Sequence, residues 1–504
     1  MEYKNYTLNL NSNVPFRNNT DYCIGTARMS LALRTEYQEQ LKLVQDEIGF
    51  SYIRGHGLFC DDMGIYHEYT DNNGKVCVEY NFTYLDMVMD FYKEVHIKPF
   101  LELGLMPKEL ASGTQCIFYW EGKTTPPKDY DRWCDLIKAT LNHLIKRYGR
   151  DEVITWPVEV WNEPNQTMFW ENKDKDEYNK LFKLSFQAVK DVDPRFLVGG
   201  PSICEGDDEE WISYFLDFCK KEQLAIDFVS RHQYMIELTE NDGHYEYSTV
   251  HPVDESMITL QTTKKQLSTY SEFCNLPIYV TEYSTAYTSR CPMHDTNMNA
   301  AYIAAALPYM EEINEANSYW TFGDMFEEWG VPWLPFYGGF GLVANGLIKK
   351  PTFWTYAFYK KLKGVCIHRT DDGVIVKKPD GSICGLLWNL DRNFSGRELS
   401  IDFTLPVEEE STYCLITKLV DEETCNPFKM WNDLGAPRTL TTEQKLLLRS
   451  AANPLVSSAS LKSDNGELHF NFILKSNAIE YFELSKVTYE GDRGFSYERT
   501  VQSF

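Results

Sequence analysis

Between residues 22 and 363 the chain alternates short β-rich runs with helix-period segments, and the pair recurs eight times. Eight successive β-to-α units, each needing a right-handed crossover, close into a parallel barrel with the helices outside. The sequence therefore predicts an α/β protein built on a (β/α)8 TIM barrel. The strands are expected near 23–29, 50–54, 97–104, 158–161, 196–200, 227–232, 276–283 and 318–324. The intervening helices have visible faces and stops. Trp133, Ile137, Leu141, Leu144 and Tyr148 form one stripe that ends at Gly149, and Tyr178 to Val192 forms another that ends at Asp193-Pro194.

A chain of 504 residues is longer than such a barrel requires, so a second unit is expected. Beyond residue 363 the pattern changes to alternation with polar turns, which reads as a β-sandwich over 364–487 with a helical insertion near 437–451. Residues 1–21 read as an N-terminal segment joining that sandwich, and 488–504 as a polar tail. The 49 basic and 74 acidic residues leave a formal charge of −25, which argues against nucleic acid or an anionic membrane surface as partner and favours a neutral substrate. Thirteen cysteines with no CxxC pair fit reduced thiols. Without a leader-like N-terminus or an apolar run of about 18 residues, a cytoplasmic location is expected.

In a closed barrel the loops after the strands open on one face, so side chains at those ends converge. They bring together His56, Glu102, Asn162 and Glu163, His232 and Tyr234, Glu282, and Glu327 and Glu328. Strands four and seven lie across the barrel from each other, which would set Glu163 and Glu282 on opposite sides of a bound ring, as sugar hydrolysis requires. Glu163 lies among Trp161, Pro164 and nearby aromatics, which should keep it protonated as an acid. Glu282 precedes Tyr283, whose hydroxyl could keep it ionised. Trp320, Phe322, Phe326, Trp329, Trp333, Phe336 and Tyr337, interleaved with Asp324, Glu327 and Glu328, read as a sugar subsite of stacking faces and hydroxyl acceptors.

Each feature has a plainer reading by itself. A strand-end Glu is commonly a helix cap, Asn-Glu-Pro a turn, His56 a turn filler between glycines, His232 a hydrogen-bonded core residue and the aromatic run simply core. An enolase-type metal site needs carboxylates at three successive strand ends; Glu102 and Glu163 would supply two, and residues 199–202 offer none. The sequence contains no HExxH, nucleophile elbow or phosphate-binding glycine loop, and no cofactor or metal is expected.

The blocks Tyr52-Ile53-Arg54-Gly55-His56-Gly57-Leu58, Phe118-Tyr119-Trp120, Trp161-Asn162-Glu163-Pro164-Asn165, Ser230-Arg231-His232-Gln233-Tyr234, Thr281-Glu282-Tyr283 and 320–328 together resemble glycoside hydrolase family 39, in particular its bacterial β-xylosidases. The resemblance implies Glu163 as acid/base and Glu282 as nucleophile. It also implies His56, Phe118, Asn162, His232, Tyr234, Trp320 and one of Glu327 or Glu328 as sugar contacts, with retention of configuration and no metal. Oligomers, often tetramers, are implied as well. α-L-Iduronidases share the family's fold, but a uronate would want basic partners and the strand-eight end is acidic. The expectation is an exo-acting β-xylosidase on small xylo-oligosaccharides. Its rivals are an exo-glycosidase for another neutral sugar (glucoside, galactoside or arabinoside) and a carbohydrate-binding protein without turnover.

Overall fold

The computed structural model describes residues 1–205, 208–332, 334–487, 499 and 501. Eight strands form the central sheet: β1 (Cys23–Thr26), β2 (Tyr52–Gly55), β3 (Lys98–Leu103), β4 (Val158–Val160), β5 (Val198–Ile203), β6 (Phe228–Tyr234), β7 (Ile278–Ser284) and β8 (Ala316–Tyr319). They close in sequence order with every neighbour parallel. The strands are almost wholly buried, since helices cover the outside and side chains fill the inside. Cys23, Phe100 and Phe228, with Tyr22, Tyr52 and Tyr279, plug the end where the strands begin; the rings of Phe228 and Tyr279 stack at 4.6 Å. Gly199 is required there, because a Cβ would fall 2.4 Å from the Phe228 ring. With one end packed, only the end where the strands finish can hold a ligand.

Helix Tyr130–Tyr148 carries the expected stripe and ends where expected. Asp129 caps it by accepting from the Asp131 and Arg132 amides, and Gly149 with φ 91° ends it. β8 is shorter than expected: the chain leaves the sheet after Tyr319, and residues 320–328 turn over the barrel mouth. Among the described residues four two-stranded hairpins were not anticipated, the longer two being Tyr66–Thr70 with Val76–Tyr80 and Ile236–Asp242 with Tyr245–Val250. Neither buries a continuous face, so their hydrophobic alternation is weak.

The second unit pairs a six-stranded antiparallel sheet with a three-stranded one, in which Glu2–Thr7 runs parallel to Leu399–Pro406. Phe403, Phe470, Phe472 and Phe482 fill the space between them. The helical insertion begins earlier than 437: Pro427–Asp433 is a helix with proline at its first turn, and Thr442–Ala451 follows with a Thr441–Gln444 capping box. The expected tail at 488–504 lies outside the described residues except for Arg499 and Val501. Among the described residues no helix is long and apolar enough to cross a membrane, and all thirteen cysteines are free thiols.

One ion cluster anchors the strand-eight loop. Lys350, fully buried, lies 2.6 Å from both Asp295 and Asp324 and donates to the Gly339 carbonyl, while the two carboxylates accept from the Gly338 and Gly341 amides. Burial and the neighbouring Asp295 push the Asp324 carboxyl up to about 7, against the pull of Lys350. Lys350→Met leaves two buried acids without their cation, and the expected loss is about 3–5 kcal/mol, visible as an unfolding temperature several degrees lower. Unfolding at the parent's temperature contradicts this.

Candidate active site

The turn after β4 is held in an uncommon backbone shape. Trp161 and Glu163 both have positive φ, 73° and 43°, in the left-handed region that costs a non-glycine residue of order 1–3 kcal/mol. The surroundings fix it: the Trp161 amide donates to Leu103 O, its indole to Phe169 O, and the Glu163 amide to Ser202 O. The twist turns Glu163 toward the barrel axis. Asn162 accepts from Arg54 through Oδ1, and its Nδ2 is buried without a protein partner.

Arg54 on β2 organises the floor. Fully buried, it lies 2.6 Å from Glu159, 3.0 Å from Glu102 and 3.3 Å from Glu282. It also donates to Asn162, and it sits 3.3 Å from Nε2 of His232. Glu102 in turn holds Nδ1 of His56 at 2.8 Å, and Thr281 donates to Glu159.

Above this floor the two carboxyl groups face each other. One oxygen each from Glu163 and Glu282, and Nδ1 of His232, lie within 4.8 Å of one another. His232 is 2.7 Å from Glu163 and 3.7 Å from Glu282. Burial, then the charge of Arg54, holds its pKa well below the usual range, so the ring is neutral. With Arg54 and Ser202 at Nε2, the proton sits on Nδ1 and is donated to Glu163. The same three atoms are close enough to ligate one cation, but a guanidinium 3.3 Å from both His232 and Glu282 opposes it and favours a shared proton.

Burial, then the nearby charge of Glu282, pushes Glu163 well above the carboxylate range. Burial raises Glu282 as well, but His56, Arg54 and the Tyr234 hydroxyl draw it back. The proton shared by the pair therefore rests on Glu163. Tyr234 donates a short hydrogen bond to Glu282. Tyr283, expected in that role, is instead bonded to Tyr356 behind the sheet.

The carboxyl groups line a cavity of about 360 Å³ together with His56, Phe118, Tyr234, Trp320 and Glu328. His232 and Asn162, expected as sugar contacts, do not line it; both are buried, bonded to Glu163 and to Arg54 respectively. Trp320 packs on the His56 ring at 4.8 Å. Glu327, expected as a possible sugar contact, is instead buried against Arg28, Arg34 and Tyr119 and does not line the cavity. Glu328 is the acid at the cavity, raised well above the carboxylate range by burial and by Glu282 and Glu163. The aromatic run is mostly core: Phe322 packs on Tyr37, Phe326 on Phe340, and Phe336 on Trp431. Asp324 belongs to the Lys350 cluster, and Trp333 lies outside the described residues.

Sequence reading assigned no role to Arg54, although a charged residue inside an apolar barrel strand must be paired. It also missed Cys204, Glu205, Tyr287 and Arg290, in loops with no motif of their own, and Glu246 on the hairpin strand Tyr245–Val250.

A (β/α)8 barrel carrying one protonated and one ionised carboxyl group across a cavity at its open end defines the class of barrel glycoside hydrolases. Comparison with known proteins agrees and is narrower. Residues 8–469 match Glycosyl hydrolases family 39. The beta-xylosidase of Geobacillus stearothermophilus is 42% identical over 95% of this chain and 94% of its own, and that of Caldicellulosiruptor saccharolyticus is 35% identical over 84% and 86%. The crystal structure of a monomeric beta-xylosidase from Caulobacter crescentus CB15 superposes with a TM-score of 0.87 at 32% identity, covering 95% of this chain and 99% of that one. The chain belongs to glycoside hydrolase family 39.

Tyr234→Phe removes a hydrogen bond that lowers the pKa of Glu282. A carboxyl group that works ionised then titrates at higher pH, so the acidic limb of the kcat/KM profile is expected to move to higher pH while the basic limb stays in place. An unmoved acidic limb contradicts this.

Proposed function

We propose that this enzyme is a retaining, exo-acting β-xylosidase that releases terminal β-D-xylose from small xylo-oligosaccharides. The observation that carries the reading is that one oxygen of Glu163 lies within 4.8 Å of one oxygen of Glu282, which leaves no room for the wider gap of an inverting pair. A retaining pair stands about 5–5.5 Å apart, whereas inversion needs about 6.5–9.5 Å to admit a water. In the first step ionised Glu282 attacks the anomeric carbon while Glu163 gives its proton to the leaving oxygen. In the second, Glu163 takes a proton from water, which displaces Glu282. The unpaired Nδ2 of Asn162 is a ready donor to the sugar's 2-hydroxyl, where hydrogen bonds strengthen in the transition state.

The similarity to two beta-xylosidases supports xylose as the sugar. A uronate is disfavoured, because the cavity carries Glu163, Glu205, Glu246, Glu282 and Glu328, and its Arg290 is already paired with Glu246.

Glu163→Gln is expected to slow xylobiose hydrolysis by about 10²–10⁴-fold and dinitrophenyl β-xyloside far less, with loss of the basic limb of the pH profile. Equal losses on both substrates contradict the acid role. In the Glu163→Ala variant azide is expected to give β-xylosyl azide; α product contradicts retention. Across nitrophenyl glycosides, turnover of glucoside, galactoside or arabinoside equal to that of the xyloside overturns the sugar assignment. Glu282→Ala is expected to abolish hydrolysis.

A further inference from the structure

Residues 326–332 follow the last barrel strand over the open end with neither helix nor strand of their own. Among the described residues their backbone is hydrogen-bonded at two consecutive carbonyls. Glu327 O accepts from the Trp120 indole at 2.8 Å, and Glu328 O from the Tyr119 amide at 2.9 Å. Both donors stand at the tip of a short hairpin in the loop after β3, Cys116–Ile117 with Gly122–Lys123. The Glu328 side chain lines the cavity, and among the described residues no hydrogen bond orients its carboxyl group. Where that group points is therefore set by where its own backbone is held.

The hairpin tip is itself tightly fixed. The Glu327 carboxylate accepts from the Tyr119 hydroxyl and pairs with Arg28 and Arg34. The buried Arg28 guanidinium lies over both rings of the tip, 5.6 Å from the centre of Tyr119 and 5.4 Å from that of Trp120. Trp120 has little room to shift: Phe118 packs on it at 5.2 Å, and a Cβ on Gly122 would fall 2.4 Å from its ring. An indole N–H in such surroundings needs an acceptor, and the one it finds is the main chain immediately before Glu328. Glu327 thus anchors the turn through its side chain, and Glu328 uses the position so fixed.

We propose that Trp120 is a positioning residue for the reaction: by holding the Glu327 carbonyl, beside the Tyr119 amide on that of Glu328, it aims the Glu328 carboxyl group at hydroxyl groups of the sugar lodged between Glu163 and Glu282. This rests on the glycosidase reading and concerns the sugar that is released, not what it is attached to. Trp120 does not line the cavity, so its effect on the sugar passes through Glu328.

The test is a double-substitution cycle in the full-length enzyme, read as kcat/KM for dinitrophenyl β-xyloside, whose leaving group keeps slow variants measurable. Trp120→Phe retains an aromatic ring and deletes the N–H. Its kcat/KM is expected to fall about three- to tenfold, the effect of one hydrogen bond. Made in the Glu328→Ala enzyme, where no carboxyl group is left to aim, the same step is expected to lower kcat/KM by about twofold or less. A merely structural loss would carry over in full. Equal losses in the two backgrounds, or no loss in Trp120→Phe, overturn the proposal, while turnover by the parent leaves the glycosidase reading intact. Should Trp120→Phe fail to fold, Tyr119→Phe, which keeps both rings and deletes only the hydroxyl on Glu327, carries the same cycle. A parent that does not turn over the xyloside overturns both.

Discussion

The structure turns on a single positive charge. Arg54 rises from β2 into the middle of the barrel and meets acceptors from β3, β4, β6 and β7 or the turns beyond them. A guanidinium taken out of water is tolerated only if every direction it points in is answered, and here Glu102, Glu159, Glu282 and Asn162 answer it. Its lopsided placement matters as much as its presence. It touches Glu282, whereas its contact on the side of Glu163 is His232, so its charge favours the ionised form of Glu282 over that of Glu163.

That arrangement needs a scaffold stiff enough to bear its costs. The turn at Trp161–Glu163 is strained, an amide of Asn162 goes unanswered, and several carboxyl groups are out of water. Compensation comes from apolar packing elsewhere: the aromatic plug at the barrel's closed end, the helix faces around Trp133, and the two-sheet core around Phe403 and Phe482. The wall carrying Trp320 and Glu328 has no sheet beneath it, and Lys350 with its two aspartates serves as its footing.

The barrel was legible because its signal is repeated eight times and because stripes such as that of Trp133 to Tyr148 carry their own caps. The pair Glu163 and Glu282 was legible for a related reason: in a closed parallel barrel, a position just past a strand is also a position in space. The loop after β8 was not legible. Nothing in its run of aromatic and acidic residues tells Glu327, turned into a nest of arginines, from its neighbour Glu328 at the cavity; the partners Arg28 and Arg34 lie nearly 300 residues away. Tyr234 and Tyr283 were confused for the same reason, since local order says little about which hydroxyl crosses between strands. The two longer hairpins escaped notice because exposed strands have no face to repeat.

The pairing of the accessory sheets has a consequence for how the molecule is made. Glu2–Thr7 precedes the whole barrel in the chain, yet it is zipped against Leu399–Pro406, which pairs in turn with Glu467–Leu474. In the larger sheet, Ile479–Lys486 lies between Ile383–Trp388 and Thr412–Val420. The catalytic barrel can thus be fully translated while its leading strand still waits for a mate, and the sandwich closes only when its innermost strand arrives after all the others.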